Sequence, residues 1–331
     1  MIRGAALAGL ALLASLWACA ALWIDGPASR GLAGLCIAGF ASASVAVFWT
    51  LRPLYKAAAV WGLLFAAVLG WWLSLEPRAD RDWQPDVAQP PYGEVQGDSL
   101  VLHNVRNFHY RSADDFDPRW ETRRYDLSAL EGVDMYLVHW GSPWIAHTIV
   151  SWDFGETGPP LAVSIETRKE KGEQYSAVLG FFRQFELYYV AADERDVVGL
   201  RAAHRGEQVL LYRLAAEPEI ARAALLDYVS EMNRLAERPD WYNALTHNCT
   251  TTIRMHAQHV AAARPWDWRI LVNGKLDELG YERGSIQNQI SFAELKRRSD
   301  VTARAAAAIQ APDFSRQIRQ ELPARPAPPD R

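Results

Sequence analysis

Three long runs near the N-terminus contain no charged residue, and they constrain everything that follows them. The runs are residues 4–24, 31–51 and 57–75. Each is about twenty residues long, which is the length that an α-helix needs to cross a hydrocarbon core of about 30 Å. The sequence therefore predicts three transmembrane helices within residues 1–75, followed by a region that stays beside the membrane.

The charges that flank these runs predict their orientation. Arg3 precedes the first run, and Arg52 and Lys56 lie between the second and the third, whereas the first connection contains Asp25 and a single Arg30. Because cytoplasmic connections are enriched in lysine and arginine, the N-terminus and the second connection are expected in the cytoplasm. We therefore expect a multi-pass protein of the inner (cytoplasmic) membrane whose C-terminal region lies in the periplasm.

Composition and the positions of the prolines divide the rest of the chain into segments. The chain has 331 residues and a net charge of −4, which argues against a nucleic-acid partner. Residues 76–97 are rich in proline and are expected to form an extended linker. Residues 98–290 are expected to form one periplasmic domain. In residues 291–331 we expect a helix at 293–309 and a disordered tail that includes the proline-rich segment 323–329.

Hydrophobic periodicity predicts the elements of the periplasmic domain. The predicted strands are residues 99–105, 135–140, 144–154, 161–168, 187–190 and 208–213, and the predicted helices are residues 175–186, 193–204 and 217–236. The third and fourth strands are separated by a Gly-Pro-Pro turn and should form a hairpin. The expected fold class is α+β, with a mostly antiparallel sheet packed on a helix that begins at Cys249.

Cys249 is the first candidate for a chemical role. It is the only cysteine outside the apolar N-terminal region, so a disulfide partner is not expected. Thr246 and Asn248 are residue types that cap helix N-termini, which places Cys249 in the first turn of a helix. The positive end of the helix dipole favours a thiolate there and lowers a pKa that starts near about 8.5. The alternative is a small buried hydrophobic side chain at a packed helix start.

His147 is the best candidate for a base. Alternation along its strand places it on one face with Ile145, Ile149 and Ser151. In a cysteine hydrolase or transferase, an imidazole takes the thiol proton, pairs with the thiolate and later protonates the leaving group. The alternative is a histidine that is hydrogen-bonded within the core.

The other histidines near Cys249 fit less well. His256 is seven residues farther along the same helix, roughly 10 Å away at about 1.5 Å per residue. His247 is nearly adjacent to Cys249 in sequence, where side chains usually point apart. A metal site made of Cys249, His256 and His259 lacks the paired short spacing of known zinc sites. The sequence therefore predicts neither a metal nor a cofactor.

The strand that returns from His147 offers a third group. Ser164 and Glu166 lie two residues apart on it and share one face. A turn centred near residues 157–158 would pair Ile149 with Glu166 and His147 with Arg168, so that Glu166 is a diagonal neighbour of the histidine. Glu166 is then expected to orient the ring of His147. The alternative is a structural ion pair of Glu166 with Arg168 or Arg106.

Five short motifs in the same order resemble a known family. They are residues 104–108, 145–151, 164–168, 192–196 and 248–251. The order of a strand histidine followed by Asn-Cys at a helix start resembles the circularly permuted papain-like proteins, which include lecithin retinol acyltransferase and its bacterial relatives. The five motifs together resemble the Lnb N-terminal periplasmic domain family over residues 98–290.

This resemblance implies a function. It implies that Cys249 is the nucleophile and His147 the base in transferring an acyl chain, through a cysteine thioester, to the N-terminal amine of a lipoprotein. Asn248, Ser164, Arg168 and Arg106 lie in the same motifs and are expected to support the site. In the lipoprotein-acylating members the membrane helices follow the domain, whereas here they precede it, so the expected substrate is a phospholipid or a lipoprotein.

Two other functions remain open at this stage. A papain-like amidase or peptidase of cell-wall or protein substrates would use the same cysteine and histidine, because both reactions pass through an acyl-thioester. A non-catalytic scaffold would instead bury Cys249 far from any histidine. The sequence does not indicate the oligomeric state.

Overall fold

The structure is a computed structural model that describes residues 2–262 and 264–327. The described residues divide into two compact units. The first comprises Met1–Arg78, Tyr175–Glu186 and Asp240–Asn243, and the second comprises Ala79–Gln174, Leu187–Pro239 and Ala244–Arg331. The predicted domain boundaries at residues 75, 97 and 290 remain predictions.

The first unit contains three apolar helices. They are α1 (Ile2–Ile24), α2 (Arg30–Thr50) and α3 (Leu54–Leu73), and each is long and apolar enough to cross a membrane. This confirms the three predicted spans. Asp25, between α1 and α2, accepts hydrogen bonds from the indole of Trp72 at 2.7 Å and from the side-chain amide of Gln184 at 2.6 Å. The first connection, the end of α3 and residue 184 therefore lie together at one end of the helices.

The second unit is built on an eight-stranded sheet. Its strands are β1 (Tyr92–Gln96), β2 (Ser99–Arg106), β5 (Trp120–Asp126), β6 (Gly132–His139), β7 (Ala146–Asp153), β8 (Leu161–Arg168), β9 (Glu186–Asp193) and β10 (Gln208–Arg213), and β3 (His109–Tyr110) pairs separately with β4 (Phe116–Asp117). The strand order is β1-β2-β9-β8-β7-β6-β10, with β5 also paired to β2. Most pairs are antiparallel, while β2 meets β9 in parallel. The α+β class and the mostly antiparallel sheet are thus confirmed.

Helices and buried side chains cover the sheet. The helices of this unit are a π-helix (Arg195–His204), α4 (Pro218–Glu237), α5 (Cys249–Val260), α6 (Leu276–Glu282), α7 (Phe292–Ser299), α8 (Thr302–Ala307) and α9 (Phe314–Ile318). One apolar cluster joins Tyr136 and Ile149 of the sheet to Val198 of the π-helix, Ala305 of α8 and Ile318 of α9. The helix α5 packs on β7 and β8. The central strand β7, which begins at Ala146, therefore presents His147 close to the start of α5.

Several predicted elements differ from the structure. Residues 92–96, predicted as linker, form β1, because the turn at Gly97 (φ +63°) folds it back onto β2 with Gln96 opposite Ser99. Residues 175–186, predicted as a helix, contain only the single 3-10 turn Leu179–Phe181, and the prediction of a long helix there is wrong.

The predicted helix at residues 293–309 is divided. It forms α7 and α8, separated at Val301, because the backbone N–H of Val301 donates a hydrogen bond to the carbonyl of Val209 on β10 at 3.0 Å. The helix is therefore interrupted at Val301, where the backbone bonds to the sheet instead of to the preceding turn. The predicted tail also carries an ordered contact, since Arg325 pairs with the buried Asp134 at 2.9 Å. Residues 328–329 of the proline-rich segment lie outside the described residues.

The C-terminal segment is held by a buried charge network. Arg319 of α9's C-terminal flank contacts Asp134 at 2.9 Å and Glu194 at 2.6 Å, and both acids are fully buried. Glu194 also accepts hydrogen bonds from the hydroxyls of Tyr136 at 2.7 Å and Ser151 at 2.6 Å. A buried charge is tolerated when it is paired and hydrogen-bonded, and it destabilises strongly when one partner is removed.

Replacing Arg319 with alanine should therefore lower the free energy of unfolding by about 3 kcal/mol or more, because it leaves buried carboxylates without their main partner. Thermal and denaturant unfolding of the detergent-solubilised protein measure the loss. Arg316→Ala is the matched control, since Arg316 pairs with Asp313 while its side chain is 81% exposed. That variant should lose at most about 1 kcal/mol. Equal losses in the two variants would contradict a stabilising role for the buried network.

Candidate active site

Asn248 places Cys249 at the start of α5. The side chain of Asn248 accepts hydrogen bonds from the backbone N–H groups of Thr250 and Thr251, each at 2.9 Å. In return, the hydroxyl of Thr251 accepts the backbone N–H of Asn248 at 3.0 Å, which completes a capping box. Cys249 is therefore the first residue of a well-terminated helix, as the sequence predicts, and its thiol lies at the positive end of the helix dipole.

The pairing of β7 with β8 brings the other groups together. It runs from Trp152 opposite Leu161 to Ile149 opposite Ser164. The predicted register, with Ile149 opposite Glu166, is wrong by two residues. The reason is the turn, which closes between Phe154 and Thr157 through a 3.2 Å backbone hydrogen bond, before the Gly-Pro-Pro segment instead of within it.

This register puts Glu166 closer to His147 than predicted. The Nε2 atom of His147 lies 2.6 Å from the hydroxyl of Ser164 and 3.1 Å from a carboxylate oxygen of Glu166. The Ser164 hydroxyl donates its one proton to Glu166 at 2.7 Å, so it accepts from an Nε2–H of the histidine. Ser164 thus links the ring to the carboxylate, and the contacts favour one tautomer of the ring.

Cys249 and His147 are hydrogen-bonded to each other. The sulfur of Cys249 also accepts the backbone N–H of Thr148, the residue that follows the histidine on β7. Burial alone would raise the pKa of the Cys249 thiol, but the hydrogen bond and positive charge of His147, together with the Thr148 N–H, hold that pKa below its ordinary value. The geometry therefore favours a thiolate.

The pKa of His147 is shifted in the opposite direction, upward. Burial by itself lowers the pKa of His147, but the charge of Glu166 and the hydrogen bonds with Cys249 and Glu166 outweigh it and raise that pKa to about 9. Burial would raise the pKa of Glu166, whereas His147 and Arg201 hold it well below its usual range. At neutral pH these shifts favour a thiolate on Cys249, an imidazolium on His147 and a carboxylate on Glu166.

Glu166 has a different arginine partner from those expected. Arg201 of the π-helix donates to Glu166 at 2.9 Å and to Glu207 at 3.1 Å. The sequence alternative, a structural pair of Glu166 with Arg168 or Arg106, is therefore replaced by a pair with Arg201. Because Glu166 contacts both His147 and Arg201, one carboxylate serves the ring and the π-helix together.

Arg106 and Arg168 hold a neighbouring segment. Arg106 forms a buried ion pair with Asp196 at 2.7 Å and donates to the carbonyl of Asp86 at 3.0 Å. Arg168 donates to the carbonyls of Val87 and Ala88 at 3.0 and 2.9 Å. These contacts support residues 86–88. Arg106 also lines a cavity of about 50 Å³ that Glu166 and Arg201 border.

Asn273 joins the site without a clear sequence signal. Its side-chain oxygen accepts the backbone N–H of Ala146 at 2.9 Å, and its amide nitrogen lies 2.8 Å from the Thr250 hydroxyl and 3.8 Å from the Cys249 sulfur. The only hint in the sequence is the following Gly274, where a Cβ atom would lie 2.5 Å from the carbonyl carbon of Trp144. An Asn-Gly pair far from Cys249 in sequence does not reveal that approach.

The fold and the site define a class of protein. The chain combines three helices that can span a membrane with an α+β domain in which a helix-terminal cysteine meets a histidine and a carboxylate. Residues 116–274 match the family model described as the Lnb N-terminal periplasmic domain. The protein is thus a membrane protein with a periplasmic C-terminal domain. Neither a curated protein nor a solved structure matched the chain.

The matched range includes His147, Ser164, Glu166, Cys249 and Asn273. Arg106 precedes the matched range, so the motif at residues 104–108 lies outside the match. The permuted papain-like relationship that the motif order suggests remains a prediction.

The paired thiol gives a direct test. Alkylation of Cys249 by iodoacetamide, followed on its own peptide by mass spectrometry, should show an apparent pKa below the ordinary value of about 8.5. His147→Ala should move that pKa up to or above about 8.5, because burial then acts on the thiol without an imidazolium beside it. Cys19 and Cys36 in the helices serve as internal reference thiols. An unchanged pKa in His147→Ala would show that the two side chains do not form an ion pair.

Proposed function

We propose that the protein is a membrane-anchored periplasmic thiol enzyme, an acyltransferase that acts on lipid or lipoprotein through an acyl-thioester on Cys249. The observation that carries this proposal is the hydrogen-bonded series of Cys249, His147, Ser164 and Glu166. A cysteine thiolate beside an oriented imidazolium is the arrangement that nucleophilic acyl transfer requires. We also propose that the domain is a permuted papain-like fold and that the membrane is the inner membrane.

The reaction follows from these contacts. The Cys249 thiolate attacks the ester carbonyl, the carbon–sulfur bond forms, and the carbon–oxygen bond of the ester breaks as His147 protonates the leaving alkoxide. An acceptor amine or water then attacks the thioester, His147 takes its proton, and the thiolate leaves. The Asn273 amide nitrogen, 3.8 Å from the sulfur, donates its two protons to the Ala146 carbonyl at 2.5 Å and to the Thr250 hydroxyl at 2.8 Å, so its role is to hold β7 and α5 around the thiol.

Apolar side chains beside the site support an acyl substrate. Trp144 and Ile145 directly precede the histidine segment, and each residue is 53% exposed. The ring of Trp144 lies 6.5 Å from that of Trp268, which is also exposed, and the carbonyl of Trp144 accepts the backbone N–H of Gly274 at 3.0 Å. Exposed aromatic groups beside the segment that carries His147 favour an apolar substrate over a charged peptide.

The membrane helices support the same substrate. A domain tethered to three spans meets phospholipid and lipoprotein at a far higher local concentration than a free domain would. An amidase of cell-wall peptides would use the same thiolate and imidazolium, so the chemistry of the site alone does not separate the two. The choice of substrate distinguishes an amidase from an acyltransferase, so the test offers both kinds of substrate.

The test measures turnover in phospholipid vesicles that contain a lipopeptide acceptor, with a cell-wall peptide offered in parallel. Wild type should release lysophospholipid or acylate the acceptor, and Cys249→Ala should do neither. Glu166→Gln should slow turnover by about 10²-fold or more, because the imidazolium loses its charged partner.

Glu207→Gln is the matched control for that variant. Glu207 shares Arg201 with Glu166 but has no described contact with His147, so its replacement removes one charge from the same network and should leave turnover nearly intact. Equal slowing in the two variants would assign Glu166 to structure instead of mechanism. Cleavage of the peptide with no action on lipid would replace the acyltransferase proposal with an amidase.

A further inference from the structure

A cluster of three possible metal ligands lies between α4 and α5. The Nδ1 atoms of His256 and His259 lie 2.6 and 2.9 Å from one carboxylate oxygen of Asp227. One ligand atom from each of the three residues lies within 4.8 Å of the others. The two histidines are three positions apart on α5, so they project from the same face of the helix toward the acid on α4.

We propose that Asp227, His256 and His259 bind a divalent transition-metal ion, with Zn²⁺ as the expected occupant. Two imidazole nitrogens and one carboxylate oxygen form a ligand set that zinc accepts, with water in the fourth position. Ligand atoms around a tetrahedral zinc are about 3.3 Å apart, as follows from metal–ligand distances of about 2.0–2.2 Å. The nitrogen–oxygen separations here, 2.6 and 2.9 Å, reach that value with shifts below about 1 Å.

The surroundings of His256 are those of a metal-binding imidazole. Its Nε2 atom lies 2.7 Å from the hydroxyl of Tyr189, and its ring stacks on Tyr228 with centroids 3.9 Å apart. Histidines that bind metals through one nitrogen usually donate a hydrogen bond from the other, which fixes the ring and its tautomer. The Tyr189 hydroxyl provides that acceptor, because Nδ1 points to Asp227.

One side of the cluster is open to solvent, which permits an ion to enter. His256 is buried, whereas the side chain of His259 is 53% exposed and that of Asp227 is 27% exposed. The open side leaves room for water as a fourth ligand. The ion would join α4 to α5 near the end of α5 opposite Cys249, roughly 10 Å from the sulfur along the helix. Its role there is to hold the two helices together, independently of the thiol chemistry.

The ligand set in the structure differs by one residue from the set that the sequence analysis considered. The spacing argument considered Cys249 with His256 and His259 and rejected the combination. Asp227 takes the third place instead, and it precedes His256 by 29 positions on a different helix, where sequence spacing gives no sign of it.

The test uses the full-length protein in detergent, purified through a tag that contains no histidine. After equilibration with Zn²⁺ and removal of the excess, elemental analysis should find one Zn²⁺ per chain in the wild type and in Cys249→Ala. Asp227→Asn and His259→Gln should lose it, and Tyr189→Phe should weaken binding by about 10- to 100-fold. Zn²⁺ should also raise the melting temperature of the wild type and leave that of His259→Gln unchanged.

His103→Gln is the matched control. His103 also lies beside a carboxylate, that of Glu94 at 3.5 Å, but it is outside the cluster and should keep full zinc content when replaced. His259 is exposed, so its replacement keeps the fold even where Asp227→Asn does not. Wild type without stoichiometric Zn²⁺, or His259→Gln that binds as tightly as wild type, overturns the proposal and leaves the cluster as a hydrogen-bonded helix contact. Retention of Zn²⁺ in Cys249→Ala separates this result from the fate of the proposed acyl transfer.

Discussion

The hydrogen bond between Cys249 and His147 is the interaction on which the account of this domain depends. The backbone N–H of Thr148, the residue that follows the histidine on β7, also donates to the sulfur. The capped start of α5 then brings the thiol to that donor and to the histidine ring. The central strand β7 and the start of α5 together surround the thiol with a hydrogen-bond donor and a positive charge.

The rest of the second unit keeps these few atoms in place through buried charges. Glu166 is shared between His147 and Arg201, and Arg106 is paired with Asp196. Buried ion pairs contribute little net stability compared with apolar packing, yet each becomes costly to break once the fold has closed around it. Such pairs therefore fix geometry more than they add to the free energy of unfolding.

Much of this could be predicted from the sequence where local physical chemistry decides the outcome. The three spans follow from uncharged length, the strand that contains His147 follows from alternation, and the helix that begins at Cys249 follows from the capping residue Asn248. These predictions held because length, alternation and helix capping are properties of neighbouring residues in the sequence. The family resemblance was also confirmed over residues 116–274.

The parts that could not be predicted depend on contacts between distant residues. The β7–β8 register was missed by two residues because a turn at Phe154 and Thr157 replaces the one suggested by the prolines. Arg201 and Asn273 were missed because their partners are 35 and 23 or more positions away. The helix predicted at residues 293–309 divides because Val301 bonds to β10. Local propensity does not carry such information.

The central claim is that Cys249 carries the acyl group, and intact-mass spectrometry tests it most directly. Purified protein with Cys19 and Cys36 replaced by alanine is incubated with phospholipid in the absence of an acceptor. We predict a mass increase equal to one acyl chain, located on Cys249 and removed by hydroxylamine, as expected of a thioester. Lipid turnover without any adduct on Cys249, or an adduct that persists in Cys249→Ala, would contradict the account.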